Sequence, residues 1–225
     1  MLLAEELTLL LLDDVSGRPV TNGQRVDIAL AGGVLLELML RGHVTITERG
    51  HPAGKHRVVA LSTAPTGEPV LDEALARITA GRARRAQDTL PRLAKQLRPA
   101  LLDGLVKRGV LRSDSTMVLG LFPRTRFRTQ DGGPKWALRA SVHDVLVVGR
   151  APTDHDAALI SILQGVGQVP RVVGDVGVAK SELRRRAKSV AQGEAVGEAV
   201  RRAIQAMDSA MAAVLVATTA ATASG

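Results

Sequence analysis

Residues 24–44, QRVDIALAGGVLLELMLRGHV, decide the fold that this sequence predicts. Apolar side chains recur there at helical spacing on two faces, Ile28, Leu35, Leu36 and Met39 on one and Leu30, Val34 and Leu38 on the other. After Arg25 only Asp27, Glu37 and Arg41 interrupt this pattern, and the last two stand four residues apart, as in a helical ion pair. A helix that is apolar on so many sides would expose too much carbon at a protein surface. We therefore predict that it is the central helix of the core.

The residues inside and after this helix predict how it packs and where it ends. Small residues at positions 29 and 31–33 leave it thin on one side, so that neighbouring helices can approach closely. Gly42 stands where a left-handed C-cap would end the helix. Residues 43–61 then alternate like strands around a turn at residues 49–54, which predicts a β-hairpin.

The remaining chain predicts a mainly α-helical bundle with one or two β-hairpins, in a single domain spanning residues 1–225. A second Arg-Gly junction at Arg108-Gly109 also runs from a helix into an extended segment, which echoes Arg41-Gly42 and resembles the back half of a winged helix. The further helices are expected at 2–12, 70–78, 90–108, 141–148, 154–163 and 181–222, with strands at 118–122 and 136–138.

Composition limits the classes of function. The chain has 225 residues, no cysteine and a net charge of +8, so disulfide and thiol chemistry are excluded and an anionic partner is favoured. Its longest apolar run, residues 209–223, is short for a bilayer span. The first residues have no basic segment typical of a secretory signal. We therefore expect a cytoplasmic protein whose membrane contact, if any, is peripheral.

The positive charge is concentrated in one part of the chain. Residues 82–139 hold fourteen basic and four acidic residues, a net charge of +10, so that the rest of the chain carries −2. Within this region Lys95 and Arg98 stand three apart on the helix predicted at 90–108, where two cations on one face can hold a phosphate group. Arg84 and Arg92 are expected to form the rim of this site. The alternative for each of these residues is that it is a solvated surface charge without a binding role.

A loop rich in arginine and aromatic residues is the second candidate contact surface. It holds Phe122, Arg124, Arg126, Phe127 and Arg128, and Trp136 follows on the predicted return strand. Rings beside guanidinium groups suit a membrane interface, and they equally suit stacking on nucleic acid. A hairpin that packs on its own domain or on a second subunit is the third possibility.

We find no catalytic or metal-binding pattern in the sequence. The five histidines lack the spacing of metal ligands, and no Lys-Ser/Thr pair follows Gly165 and Gly167 to complete a phosphate loop. Asp154-His155-Asp156 is interpreted as a helix start capped by Thr153 or Asp154. We therefore predict a non-enzymatic protein without a cofactor.

With these motifs in view, the sequence resembles the Golgi phosphoprotein 3 family of phosphoinositide-binding peripheral proteins, including its bacterial members. The resemblance rests chiefly on LAEELTLLLLDD at residues 3–14 and ALAGGVLLELMLRGH at residues 29–43. APTG at 64–67, LDEAL at 71–75, residues 105–111 and the Ala-rich terminal helix extend it over nearly the whole chain.

The resemblance implies an all-α bundle with a protruding hairpin. It also implies a protein that binds phosphatidylinositol 4-phosphate and holds client proteins. The family's phosphate pocket uses a tryptophan, an arginine and a further basic pair, and that pair falls on Lys95 and Arg98. The tryptophan position falls near Asn22 and the first arginine near Ala31, so half of the pocket is missing here. Arg25 is the candidate replacement.

The function predicted from the sequence is a peripheral adaptor that binds an anionic or phosphoinositide membrane surface, with a possible protein client and with self-association into a homo-oligomer. The alternative is a winged-helix nucleic-acid binder. Against it, the helix that would read bases carries Leu97, Leu101, Leu102, Leu105 and Val106, a pattern typical of a buried face.

Overall fold

The computed structural model describes the backbone of all residues except 49, 119–121, 194–195 and 224–225. Side chains are described for all residues except 49, 115–124, 194–195 and 218–225. The predicted mainly helical fold with two β-hairpins is confirmed. The helices are α1 (Leu3–Leu10), α2 (Gly23–Leu40), α3 (Pro69–Thr79), α4 (Ala86–Leu93), α5 (Leu97–Lys107), α6 (Gly133–His143), α7 (Asp154–Gly165), α8 (Val169–Val173), α9 (Lys180–Gln192) and α10 (Glu198–Ala223). A π-helical turn, Asp144–Val148, continues α6. Within the described residues, no helix combines the length and the apolar content that crossing a bilayer requires.

Helix α2 is the central helix, as predicted. Eleven of its eighteen residues are buried, which requires neighbours on every side, and it packs against α1, α4, α7 and α10. The small residues allow two of these contacts. A Cβ on Gly33 would stand 3.1 Å from the backbone nitrogen of Ala4 in α1, and one on Gly32 would stand 3.0 Å from the sulfur of Met211 in α10. The backbones of α1 and α2 therefore approach one another at Gly33 as only glycine permits, while Gly32 leaves room for the Met211 side chain.

The two Arg-Gly junctions have the same geometry, so the echo seen in the sequence is structural. The amide of Gly42 donates to Met39 O and that of His43 to Leu38 O, with Gly42 at φ 73°. At the second junction Gly109 and Val110 donate in the same pattern, with Gly109 at φ 72°. Both helices therefore end in a Schellman cap that directs the chain into a strand.

The first junction leads into a three-stranded antiparallel sheet and the second into a two-stranded hairpin. The sheet has the order β1 (Val44–Ile46), β2 (Arg57–Ala60), β3 (Arg84–Arg85). The hairpin pairs β4 (Leu111–Val118) with β5 (Phe122–Thr129). Of the strand predicted at 118–122, residues 119–121 lie outside the described residues, while Val118 ends β4 and Phe122 begins β5. The strand predicted at 136–138 was wrong, because Trp136 lies on α6, and the predicted arginine-rich loop contains strand β5. Pro134 in the first turn of α6 is a helix-start signal that outweighs the apolar residues after it.

The predicted helix at residues 90–108 is also wrong, because it is two helices. The chain turns at residues 94–96, where Gln96 has the left-handed φ of 59°, and Pro99 stands in the first turn of α5, where a proline is tolerated. The terminal segment predicted as one helix at 181–222 is likewise divided into α9 and α10.

Carboxylates in the first turn of α1 join this helix to distant elements. Glu5 is 4% exposed and pairs with Arg108 at 2.7 Å, while Glu6 is 7% exposed and meets His155 Nε2 at 2.7 Å. The Glu6 hydrogen bond raises the pKa of His155. His155 is therefore a structural partner of α1, and Thr153 caps α7 as predicted.

Candidate anion-binding cleft

A cleft of about 480 Å³ opens where α1, α2 and α5 meet the base of the β4–β5 hairpin. We call it the Arg98 cleft. Its walls are mostly apolar and its charged residues are Arg18, Arg98 and Asp103, so it combines a hydrophobic surface with cationic groups. An amphipathic anion would find both kinds of contact there. The apolar walls are Leu11, Leu12, Pro19, Val26, Leu30, Pro99, Leu102 and Phe127.

Arg98 is held at the N-terminal end of α2. Its guanidinium group meets the Asp27 carboxylate through Nε at 2.9 Å and Nη2 at 3.1 Å, and a Cβ on Gly23 would stand 3.4 Å from its Nη1. Burial raises the pKa of Asp27, and the nearby Arg98 only partly opposes this shift. The cation is therefore fixed in place, but Asp27 already neutralises much of its charge.

The other residues predicted for the phosphate site are not brought into this cleft. Lys95 is exposed in the turn between α4 and α5, so it does not share a helix face with Arg98, and neither Lys95 nor Arg25 lines the cleft. Arg25 is half-buried in the first turn of α2. Arg84 and Arg92, expected at the rim, line a separate depression.

The two positions where the resemblance implies an aromatic and a basic ligand have structural roles. Asn22 is the N-cap of α2, where its side chain accepts a hydrogen bond from Gln24 N at 2.8 Å. Ala31 is wholly buried in the core, so its position offers no room for a headgroup ligand. Arg98 is therefore the member of the implied pocket that the cleft retains.

The aromatic and basic residues of the hairpin divide between different surroundings. Phe127 is half-buried and packs on a small cluster formed by Leu9, Leu12, Leu102, Leu105, Val110 and Leu111. Arg128 lies 3.5 Å from Asp114, and Arg126 stands opposite Asp114 in the strand register. Phe122 and Arg124 belong to β5, but their side chains, like Leu121 before them, lie outside the described part of the structure. Trp136 is 73% exposed on α6.

Lys135 is held in place in this region, although in the sequence it is only one of the fourteen basic residues of 82–139. Its side chain is buried, and its Nζ donates to Leu12 O at 2.6 Å and to Asp14 at 2.7 Å. Burial lowers the pKa of Lys135, and the Asp14 carboxylate opposes this change. Asp14 also accepts from Thr129 of β5 at 2.6 Å. Lys135 thus joins α6, the 13–20 turn and the hairpin, a role that has no local signal in the sequence.

Comparison with known proteins identifies the family of this chain. The family model for Golgi phosphoprotein 3 (GPP34) matches residues 3–207. The chain is also similar to vacuolar protein sorting-associated protein 74 of Eremothecium gossypii, with 26% identity over 162 residues, which cover 64% of this chain and 49% of the relative. The chain thus spans about half the length of the curated relative that it matches. Because the family model covers most of the chain, the protein belongs to the Golgi phosphoprotein 3 (GPP34) family.

Proposed function

We propose that this protein is a non-enzymatic peripheral membrane adaptor that binds anionic phospholipid through the Arg98 cleft. A phosphorylated inositol headgroup, such as that of phosphatidylinositol 4-phosphate, is the expected ligand. The observation that carries the proposal is the position of Arg98, a fixed guanidinium group at the edge of a mostly apolar cleft. A guanidinium fork suits a phosphate group, and the apolar walls suit the glycerol and acyl part of a lipid.

Two further observations favour a membrane surface. Trp136 exposes most of its indole ring, and an amphipathic ring of this kind is typical of the headgroup region of a bilayer. The family relationship favours a Golgi-type adaptor, and the relative's name refers to vacuolar protein sorting. We accordingly propose a location on the cytosolic face of a membrane, a protein client, and self-association through the β4–β5 hairpin.

The structure does not favour the nucleic-acid alternative, because helix α5, the candidate recognition helix, is not free to contact bases. Leu97, Leu101 and Leu105 of α5 are all buried, so the apolar face of this helix is unavailable to a DNA groove. The β4–β5 hairpin shares with the wing of a winged helix only the way it follows a helix in the chain. A lipid ligand therefore explains the geometry better.

The test is a variant that changes the cleft without changing net charge. Arg98→Gln combined with Asp27→Asn removes one cation and one anion, so general attraction to an anionic surface is unaffected. Binding to phosphatidylcholine liposomes that contain phosphatidylinositol 4-phosphate should fall about five- to tenfold, since the charge-assisted bonds to phosphate are lost. Binding to liposomes of equal charge made with phosphatidylserine should fall less, because a phosphodiester offers less charge to a fork.

Lys95→Gln separates the pair predicted from the sequence from the cleft seen in the structure. Arg184→Gln, an exposed cation on α9, is the matched control for the loss of one charge. We expect Lys95→Gln to behave like Arg184→Gln. Equal binding by the wild type and the charge-neutral double variant would contradict the proposed site.

A further inference from the structure

A second basic region lies between the three-stranded sheet and helices α3 and α4. Two adjoining depressions share Arg82 and Arg84. The larger, of about 460 Å³, also includes Arg57, and the smaller, a shallow one of about 10 Å³, includes Arg77 and Arg92. We call these five residues the arginine concavity. None of the residues that line it also lines the Arg98 cleft.

Two of the five arginines have structural partners that hold the concavity in shape. Arg57 Nη1 donates to Ala83 O at 3.0 Å, which fixes the turn before β3. Arg77 Nη1 donates to the carbonyl oxygens of Arg92 and Lys95 at 3.2 and 2.7 Å, and its Nη2 pairs with Glu73 at 2.5 Å. These bonds position the end of α4, and with it Arg92, against the depression.

The other three arginines have no paired counter-charge in the part of the chain that the structure describes. Within the described residues, the side chains of Arg82, Arg84 and Arg92 make no hydrogen bond or ion pair, and no acidic residue lines either depression. Arg98, by contrast, is paired with Asp27. Cations that line the same depression without a counter-ion repel one another, and a bound anion would relieve that repulsion.

The pairing of β3 adds a second like-charge contact. Arg85 stands directly opposite Arg57 in the β2–β3 register, and like charges in this relation destabilise a strand pair. Arg84, the other residue of β3, lines both depressions, whereas Arg85 lines a separate one. Arg84 is therefore the residue of β3 that belongs to the concavity.

We propose that the arginine concavity binds a phosphate-bearing ligand with two or more negative charges. Arg82, Arg84 and Arg92 supply the free guanidinium forks, while Arg57 and Arg77 keep the site in shape. The ligand is either a soluble compound with adjacent phosphate groups or the phosphorylated headgroup of a lipid, since both present the same chemistry. This site is separate from the Arg98 cleft and does not depend on it.

The experiment compares two triple variants of the full chain. Arg82→Gln/Arg84→Gln/Arg92→Gln empties the concavity of its free cations, all of which are exposed, so the fold should be unaffected. Lys180→Gln/Arg184→Gln/Lys188→Gln is the matched control, because it removes three exposed cations at four-residue spacing on α9, none of which lines either depression. Thermal melting checks that both remain folded.

Two probes distinguish the sources of the ligand. Calorimetric titration with pyrophosphate contains no membrane; wild type should bind it saturably, and the concavity variant should lose at least about tenfold in affinity while the control does not. Sedimentation with phosphatidylcholine liposomes containing phosphatidylinositol 4-phosphate is the second arm. A specific loss in the first arm supports a soluble ligand as well as the site, and a specific loss in the second arm alone supports a lipid headgroup.

The proposal is overturned if the two triple variants behave alike with both probes, because binding would then follow total charge. The Asp27→Asn/Arg98→Gln variant, run beside them, keeps this result distinct from failure of the proposed lipid cleft. Loss of liposome binding in that variant with no effect of the concavity variant would leave the cleft and remove the concavity.

Discussion

Different forces determine the sequence of helix α2 in its buried stretch and in its first turn. From Ala29 to Leu36 every residue is buried, and the available volume determines which residues fit: Gly33 leaves room for α1 and Gly32 for a side chain of α10. In the first turn, residues 23–27, charge and hydrogen bonding decide the arrangement, through the Asn22 cap and the Asp27–Arg98 pair. One helix thus carries the core at one end and the candidate ligand contact at the other. Substitutions should therefore affect folding at one end and binding at the other.

The largest effect is expected at Leu36, which is wholly buried. Leu36→Asp would place an unpaired carboxylate in the core and remove a large apolar side chain, a combined loss of more than about 4 kcal/mol. Because a domain of this kind has only about 5–15 kcal/mol of stability, the variant should be unfolded or barely folded. Circular dichroism with thermal melting measures this. A cooperative transition near that of the wild type would show that this part of α2 is not the centre of the core.

An intermediate effect is expected at Asp208, an acidic residue on α10 next to Met207, which packs near Gly32. Its Oδ1 is buried with no hydrogen-bond partner among the described residues, and burial raises its pKa to about 6. The folded state therefore binds a proton more tightly than the unfolded state does. The stability that this proton contributes is complete below the unfolded pKa near 3.8 and is lost as the pH rises through about 6.

Asp208→Asn should remove this pH dependence. At pH 7.5 the variant should be more stable than the wild type by about 1–3 kcal/mol, since two pKa units correspond to roughly 3 kcal/mol at most. At pH 4 the two proteins should differ little, because the carboxyl is then protonated in the folded wild type. Urea denaturation at the two pH values tests this, with Asp175→Asn, an exposed residue, as the control. An equal gain at both pH values would mean that charge is not the cause.

The contrast between the ends of α2 also explains what the sequence could and could not predict. The buried stretch was located correctly because its apolar residues signal burial whatever their partners are. The Lys95–Arg98 pair was placed on one helix wrongly, because the left-handed residue Gln96 and the turn around it are set by how α4 and α5 pack. Asp27 and Arg98 are 71 residues apart in sequence, so no local pattern could show that they neutralise one another.

Residues 82–139, which carry a net charge of +10, also show what the sequence alone cannot predict. They appeared in the sequence as one basic region, yet in the structure Lys135 pairs with Asp14 and Arg108 with Glu5. Arg82, Arg84 and Arg92 have no such partner among the described residues. A count of charges cannot make this distinction, because the partners come from the first residues of the chain. What the sequence did carry was the excess itself, since four acidic residues cannot pair with fourteen basic ones.

The smallest effect on stability, and the most direct test of the N-terminal turn, is expected for Asp27→Asn. The amide keeps the size of the side chain and a hydrogen-bond acceptor for Arg98, so the free energy of unfolding should change by less than about 1 kcal/mol. The freed charge of Arg98 should raise binding to phosphatidylinositol 4-phosphate liposomes about two- to fivefold at pH 7.5. Asp103→Asn removes an equal charge from the same cleft without a bond to Arg98, so its increase should be smaller.

Because burial raises the pKa of Asp27, wild-type Asp27 becomes protonated as the pH falls, and the advantage of the Asp27→Asn variant should shrink. Equal increases for Asp27→Asn and Asp103→Asn, or an advantage that does not shrink as the pH falls, would show that the Asp27–Arg98 contact does not control access to the cation.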